Sequence, residues 1–223
     1  MKRTILFAVA CVAVMFTVEQ VQAGVVISPV SASSPLPLNT SGFPLINLIN
    51  QSGLSPKFTS GVTDWDTYFA GTVLTSTGHW IAQNKTVNYV DFDFGSTRSL
   101  TRLAMWNYGT GGGTSSVKDF TILTSNDSSF ASFQNVGSFE LDNGPRTAQV
   151  FDISDSFGRY ARLEIDSNYG FSHTVGFGEI VFESTTLEPT PEPTSLAIFG
   201  IGALCMGAGA ARRRRKEKQA AEA

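Results

Sequence analysis

Paired carboxylates on one face of a strand are the first chemistry to look for. Arg162-Leu163-Glu164-Ile165-Asp166 sets Glu164 and Asp166 two residues apart. A strand turns such a pair to the same side, the arrangement that glycoside hydrolysis requires. The next position of that pattern holds Asn168 instead of an acid, so the segment reads as solvated strand residues. The two histidines, His79 and His173, have no Gly-x-Ser-x-Gly elbow to serve and too few partners for an imidazole-ligated metal. His79 beside Trp80 reads as packing. Binding chemistry has more support. Sugar recognition needs aromatic faces with a few fixed polar groups, and Trp65, Tyr68, Trp106, Tyr108, Tyr169 and Phe171 are the available rings. Tyr108 and Tyr169 stand out because each lies in a Gly-rich segment, 107–116 and 167–174. Asn107, Asn168 and His173 stand next to them as hydrogen-bonding groups. No Lys-Ser/Thr follows those glycines, which argues against a phosphate cradle.

The elements that must position these residues are strands. In 88–94, Val90, Phe92 and Phe94 alternate with Asp91 and Asp93, the period of a half-buried strand. Further runs lie at 100–106, 120–124, 138–141, 149–153, 160–165 and 178–182, separated by Gly, Asn and Ser. No stretch between 46 and 186 keeps a helical period over three turns. Short strands at this spacing predict an all-β domain, an antiparallel jelly-roll β-sandwich. Residues 24–45, rich in Ser and Pro, read as an extended lead-in, and Asp64-Trp65-Asp66 as solvated strand residues.

The two ends differ from this middle. Met1-Lys2-Arg3, an apolar run over 5–18 and an exit at Val21-Gln22-Ala23 form a secretory signal peptide, residues 1–23. Fourteen residues rise only ~21 Å as a helix, short of a ~30 Å hydrocarbon core. At the other end a Pro-rich linker, 187–194, precedes an uncharged segment, 195–211, and a basic tail, 212–223, that opens Arg212-Arg213-Arg214-Arg215-Lys216. That apolar segment is expected to be a transmembrane helix of near-minimal length, with the cationic end held in the cytoplasm. Both cysteines, Cys11 and Cys205, fall in these ends, so the exported part has no thiol for a disulfide or a metal. Between 24 and 188 there are eight Lys and Arg against fifteen Asp and Glu, a net charge of −7 where the whole chain has −3. An acidic surface repels phosphate backbones, which excludes nucleic acid as the expected partner.

Pro191-Glu192-Pro193, the apolar helix and the arginine cluster together resemble a PEP-CTERM sorting signal. The resemblance implies a Gram-negative bacterium that makes exopolysaccharide. It implies a protein held transiently in the inner membrane, then cut by an exosortase-type enzyme and passed to the cell surface or extracellular matrix.

A second resemblance covers about 45–183. It rests on 47–55, Asn-Leu-Ile-Asn-Gln-Ser-Gly-Leu-Ser, on Tyr89-Val90-Asp91-Phe92-Asp93-Phe94-Gly95, and on Val117-Lys118-Asp119-Phe120-Thr121-Ile122 with Ser125-Asn126-Asp127. Gly158-Arg159-Tyr160-Ala161-Arg162-Leu163 and Gly176-Phe177-Gly178-Glu179-Ile180 complete it. This order resembles the discoidin, or coagulation-factor C, domain, with a domain expected over 46–186. The resemblance implies an eight-stranded galactose-binding-like jelly roll, a binding rather than catalytic role, and a structural Ca²⁺. The positions matching that calcium site are Asn50, Ser52, Ser55 and Glu179, with Asn50 standing where an acid is usual.

The expected function is therefore an exported, non-catalytic module binding glycan or exopolysaccharide through loops at one end of the sandwich. The alternatives are a structural matrix or adhesion protein without a small-ligand pocket and, third, a polysaccharide-active enzyme. Processing is testable directly: material released from native cells should begin near Gly24 and lack 212–216 by intact mass. Recovery of the tetra-arginine peptide from that material would refute the sorting step.

Overall fold

The computed structural model describes residues 24–36, 43–70, 78–83, 88–107, 113–143 and 147–185. The signal segment, the C-terminal apolar segment, the basic tail, Pro191, Glu192, Pro193 and Tyr108 lie outside these residues.

Among the described residues the domain has eight strands, a 3-10 turn over Leu45–Leu48 and one short α-helix: β1 (Val25–Ile27), β2 (Ser31–Ser33), α1 (Trp65–Ala70), β3 (Trp80–Gln83), β4 (Asn88–Asn107), β5 (Asp119–Ser125), β6 (Gln134–Glu140), β7 (Gln149–Ile165) and β8 (Thr174–Thr185). All pairings between the strands are antiparallel, in the order β1-β8-β4-β7-β5-β6, with β2 added to β4 and β3 to β8. This is the expected jelly-roll sandwich. β4 and β7 are twice as long as the runs read from sequence because each passes through both halves of it. The first part of β4 pairs with the last part of β7, Val90 opposite Leu163, and the rest of β4 pairs with β8, Leu103 opposite Phe182. The register shifts between Asp93 and Arg98, where Gly95 takes a φ of +76° that a residue with a Cβ adopts at a cost. A bulge of this kind bends the strand without ending it.

Between the halves lies the main core, in which Phe92, Leu103, Phe120, Ile122, Leu163 and Phe182 are fully buried. The alternation predicted for 88–94 holds: Val90, Phe92 and Phe94 point inward. Asp91 and Asp93 point outward to cross-strand arginines. Arg162 donates to both oxygens of Asp91 at 2.6 and 2.9 Å, and Arg159 to both of Asp93 at 2.9 Å.

Two expectations need correction. The lead-in over 24–45 is not separate from the sandwich, since β1 and β2 hydrogen-bond to β8 and β4. Asp64-Trp65-Asp66 is a helix start, not a strand. Asp64 Oδ1 accepts the Thr67 N–H at 2.8 Å, as an N-capping side chain does. Trp65 and Tyr68 on α1 then pack with Val26, Leu54, Phe58, Ala104, Trp106 and Val181 in a second apolar cluster on the outer side of β4 and β8. Arg102 pins that cover. It binds Glu183 through two N–H groups at 2.6 Å, reaches Asp66 of α1 at 2.9 Å and lies 5.3 Å from the Trp65 ring centre.

Glu183 keeps only 4% exposure, so removing its cation leaves a buried carboxylate uncompensated. Arg102→Ala is expected to destabilise the domain by about 3 kcal/mol in chemical denaturation. Adding Glu183→Gln in the same chain should restore part of that loss. Equal stability of Arg102→Ala and wild type would show that the pair does not anchor α1.

Candidate functional site

The loops expected to bind do gather at one end of the sandwich. β4 arrives there at Asn107, β5 departs from Asp119, β6 ends at Glu140, β7 ends at Ile165 and β8 begins at Thr174. Segments 113–118 and 166–174 are zipped together by their backbones. Phe171 N–H donates to Thr114 O at 3.1 Å, Tyr169 N–H to Ser116 O at 3.2 Å, and Lys118 N–H to Ser167 O at 3.0 Å. The Ser115 and Thr174 hydroxyls share a hydrogen bond of 2.6 Å. Glycines gave the loop its flexible look in sequence, yet these bonds hold one conformation.

The predicted residues play different parts there. Asn107 is buried, and its amide donates to Val117 O at 3.0 Å and Asp142 O at 2.9 Å, tying two loops to the strand. Asn168 is turned inward as well. Its nitrogen donates to Phe171 O at 2.7 Å and Thr174 O at 2.9 Å, while its oxygen accepts Gly170 N–H at 2.9 Å. Both asparagines thus shape the loops through main-chain groups. Tyr169 is half-buried and donates its hydroxyl to Leu141 O at 2.9 Å. Burial, and then the Glu140 and Asp142 carboxylates nearby, push that phenol above the ordinary tyrosine range. His173 is exposed and meets Phe171 edge-on at 6.0 Å. Phe171 has 41% of its surface exposed. Its ring was among those available in the sequence; the signal favouring it is a large apolar residue flanked by Gly170 and Ser172 at a loop tip. The other rings are spent on packing: Trp65, Tyr68 and Trp106 are buried in the outer cluster, and Trp80 in the main core.

Asp166 accepts the Thr121 hydroxyl at 3.0 Å, and Glu164 lies opposite Thr121 and Tyr89 within the sheet. His79 stacks on Phe43 at 4.3 Å, and burial holds its imidazole below the ordinary range.

Around Glu179 the structure builds a tight corner. This side chain is 1% exposed, and both its oxygens accept the Gln51 N–H, at 3.0 and 3.1 Å. Burial pushes its carboxyl up to about 8, against smaller opposing effects of that N–H and of Lys57. The corner is fixed from within. Asn50 Oδ1 accepts Ser52 N–H at 2.8 Å, Gln51 Oε1 accepts Phe58 N–H at 2.9 Å, and the Tyr68 hydroxyl donates to Pro56 O at 2.9 Å. Tyr68 itself is pushed up to about 12, first by burial and then by Glu179. Asn50, Ser52 and Glu179 are therefore neighbours, and Ser55 lies exposed at the far side of the turn. Among the described residues no three His, Cys, Asp or Glu side chains converge. A carboxylate so buried, with one N–H for both oxygens, is short of compensation.

Comparison with known proteins agrees with this architecture. A 298–461 fragment of a Bacteroides thetaiotaomicron protein assigned as a chitobiase is 16% identical, with a TM-score of 0.51 over 76% of this chain and 97% of that one. The CBM32-2 module of a GH31 protein, bound to GalNAc, gives 11% and 0.50 over 71% and 97%. The family 32 CBM of C. perfringens NanJ, in complex with galactose, gives 9% and 0.48 over 73% and 99%. No curated protein matches the chain. The PEP-CTERM protein-sorting motif matches residues 189–216. The F5/8 type C domain profile matches residues 58–177, more than half of the sequence, and the chain belongs to that family.

Proposed function

We propose that this protein is an exported, non-catalytic glycan-binding module that works at the cell surface or in the exopolysaccharide matrix. The exposed Phe171–His173 pair on the 166–174 loop carries the reading. An aromatic ring left in water on a loop fastened at both sides offers a CH-binding face at little ordering cost. The His173 imidazole beside it supplies a polar group for a sugar hydroxyl, and the edge of Tyr169 and the main chain of 168–170 complete the surface. Tyr108, which lies outside the described residues, is kept as a proposed ligand-binding ring. Asn107 and Asn168 serve the surface by holding the loops. That the family's structural neighbours are carbohydrate-binding modules supports the ligand class. The sorting motif supports export, passage through the inner membrane and cutting by an exosortase-type enzyme in a Gram-negative bacterium.

Calcium is part of the proposal. Glu179 would be its single carboxylate, with Asn50, Ser52 and Ser55 providing neutral oxygens. Calcium takes six to eight oxygens and gains affinity with each acid, so one acid makes a weak site whose effect is structural.

Phe171→Ala should weaken retention on the cognate glycan by about 1–3 kcal/mol, roughly 5- to 150-fold, with an unchanged melting temperature. Undiminished binding would move the site elsewhere, and absence of binding across a glycan array would favour the structural matrix protein. Millimolar calcium should raise the melting temperature of wild type by mass action, and Glu179→Gln should abolish that rise. A melting temperature indifferent to calcium and to chelator would remove the ion from the account.

A further inference from the structure

The opposite end of the sandwich carries a second surface of related chemistry. β5 leaves the loop-rich end at Asp119 and reaches Ser125 after seven residues, roughly 20 Å away. There the hairpin over 126–133 and the bend of β7 border an open cleft of about 400 Å³. Phe133 and Phe157 line it, 54% and 49% exposed. Two half-bare phenylalanines on one concave surface leave apolar area in water that a ligand can cover.

The cleft is rigid. Asp127 accepts the Ser129 N–H at 2.9 Å and its hydroxyl at 2.6 Å, and the Phe130 N–H donates to Asp127 O at 3.0 Å. The Ser125 hydroxyl donates to Ser132 O at 2.6 Å and accepts the Asp127 N–H at 2.9 Å, closing the hairpin on itself. Phe130 is buried against the Arg162 guanidinium, 4.2 Å from its ring centre. A Cβ on Gly158 would stand 2.8 Å from Ser125 O, so only glycine lets β7 come this close and set Phe157 beside the hairpin.

The polar lining selects among ligands. Asn126 Oδ1 accepts the Thr97 hydroxyl at 2.8 Å and the Arg159 N–H at 3.1 Å, which commits its oxygen and leaves its amide nitrogen as a donor. Gln134 presents an exposed amide on the same lining. A lipid chain or apolar peptide would cover the rings and strand these groups, at a desolvation cost. A sugar, with CH faces and hydroxyls, meets both. Charge narrows the choice. Asp127 stays ionised, held below the usual carboxylate range by the Ser129 hydrogen bonds, and Arg159 beside the cleft is occupied by Asp93 at 2.9 Å. An acidic sugar would meet a fixed negative charge, with no cation among the residues that line the cleft.

We propose that this cleft is a second glycan site, taking a strand of uncharged polysaccharide, so that the protein can hold two chains from opposite ends. The proposal extends the glycan-binding reading to another surface and rests on it for the class of ligand alone.

Affinity electrophoresis of the full chain in mild detergent, through gels cast with dextran, galactomannan, xylan or alginate, tests it. The Phe171→Ala, His173→Ala variant should still be retarded by a neutral polysaccharide. Adding Phe133→Ala and Phe157→Ala to it should weaken that retardation at least tenfold, with the melting temperature unchanged because both rings are half in solvent. If the far-end pair alone abolishes binding, the cleft stands and the loop site falls. If the loop-end pair alone abolishes binding and the far-end pair changes nothing, the second site is overturned and the loop site stands. Retardation by alginate only would overturn the assignment to uncharged chains, and no retardation of wild type in any gel would overturn both sites.

Discussion

β8 is buried on both faces from Val175 to Ser184, and a strand in that position needs an apolar layer on each side and a partner for every polar group it carries inward. Its inner side meets the main core through Phe177, Ile180 and Phe182. Its outer side would face water if the chain from 50 to 70 did not fold over Val181, Ala104 and Trp106. Two carboxylates lie under that cover, and each is answered differently. Glu183 has Arg102, and through Arg102 the helix residue Asp66. Glu179 has one backbone N–H from Gln51. The cover is thus fastened by an ion pair at one end and by the Gln51–Glu179 hydrogen bond at the other.

Rigidity at the ends follows from the same economy of partners. The described parts of the two Gly-rich connections, 113–116 and 167–174, are not ordered mainly by their own side chains, because glycine and serine bury little apolar area. Order comes instead from main-chain pairing between segments 113–118 and 166–174, and from Asn107 and Asn168, whose amides imitate peptide groups. Such a loop loses little entropy when it takes up a ligand. On the opposite end the β5–β6 hairpin reaches the same state through Asp127, Ser125 and Ser129.

How much of this was legible in the sequence depended on whether side chains or backbone carried the information. Strict alternation at Val90, Phe92 and Phe94 with Asp91 and Asp93 announced a half-buried strand, and the structure agrees residue by residue. β1 and β2 left no such trace, since three-residue strands of Val, Ile, Ser and Ala are held by hydrogen bonds to β8 and β4 more than by pattern. The continuity of β4 across Gly95 was hidden because a glycine followed by Ser96-Thr97-Arg98-Ser99 looks like a turn, and only the pairing partners show a bend. Asn107 and Asn168 read as ligand groups because an amide next to a Gly-rich segment looks solvent-bound. Their burial is settled by residues 10 and 35 positions away in one case, beyond any local pattern. Asp64 carried a readable signal, an acid three residues before Thr67 at a helix start, but an acid-aromatic-acid triplet suits a strand equally well.

The ring faces left to a ligand are at the ends because the sheet faces are already taken. On the outer side of β4 and β7, Arg162 lies 3.8 Å from the Tyr89 ring centre as well as against Phe130, and Arg159 lies 5.1 Å from that of Tyr160. Each guanidinium is oriented by a bidentate aspartate, so the arginines occupy the aromatic surface that a sugar would need. On the outer side of β8, α1 and its neighbours cover Trp106. Neither face can take a ligand without losing an ion pair or its apolar cover. Phe171 at one end and Phe133 and Phe157 at the other have no such occupant among the described residues. Phe171 and Phe133 lie on loops and Phe157 where β7 bends, so the rings left bare sit at opposite ends of the sandwich.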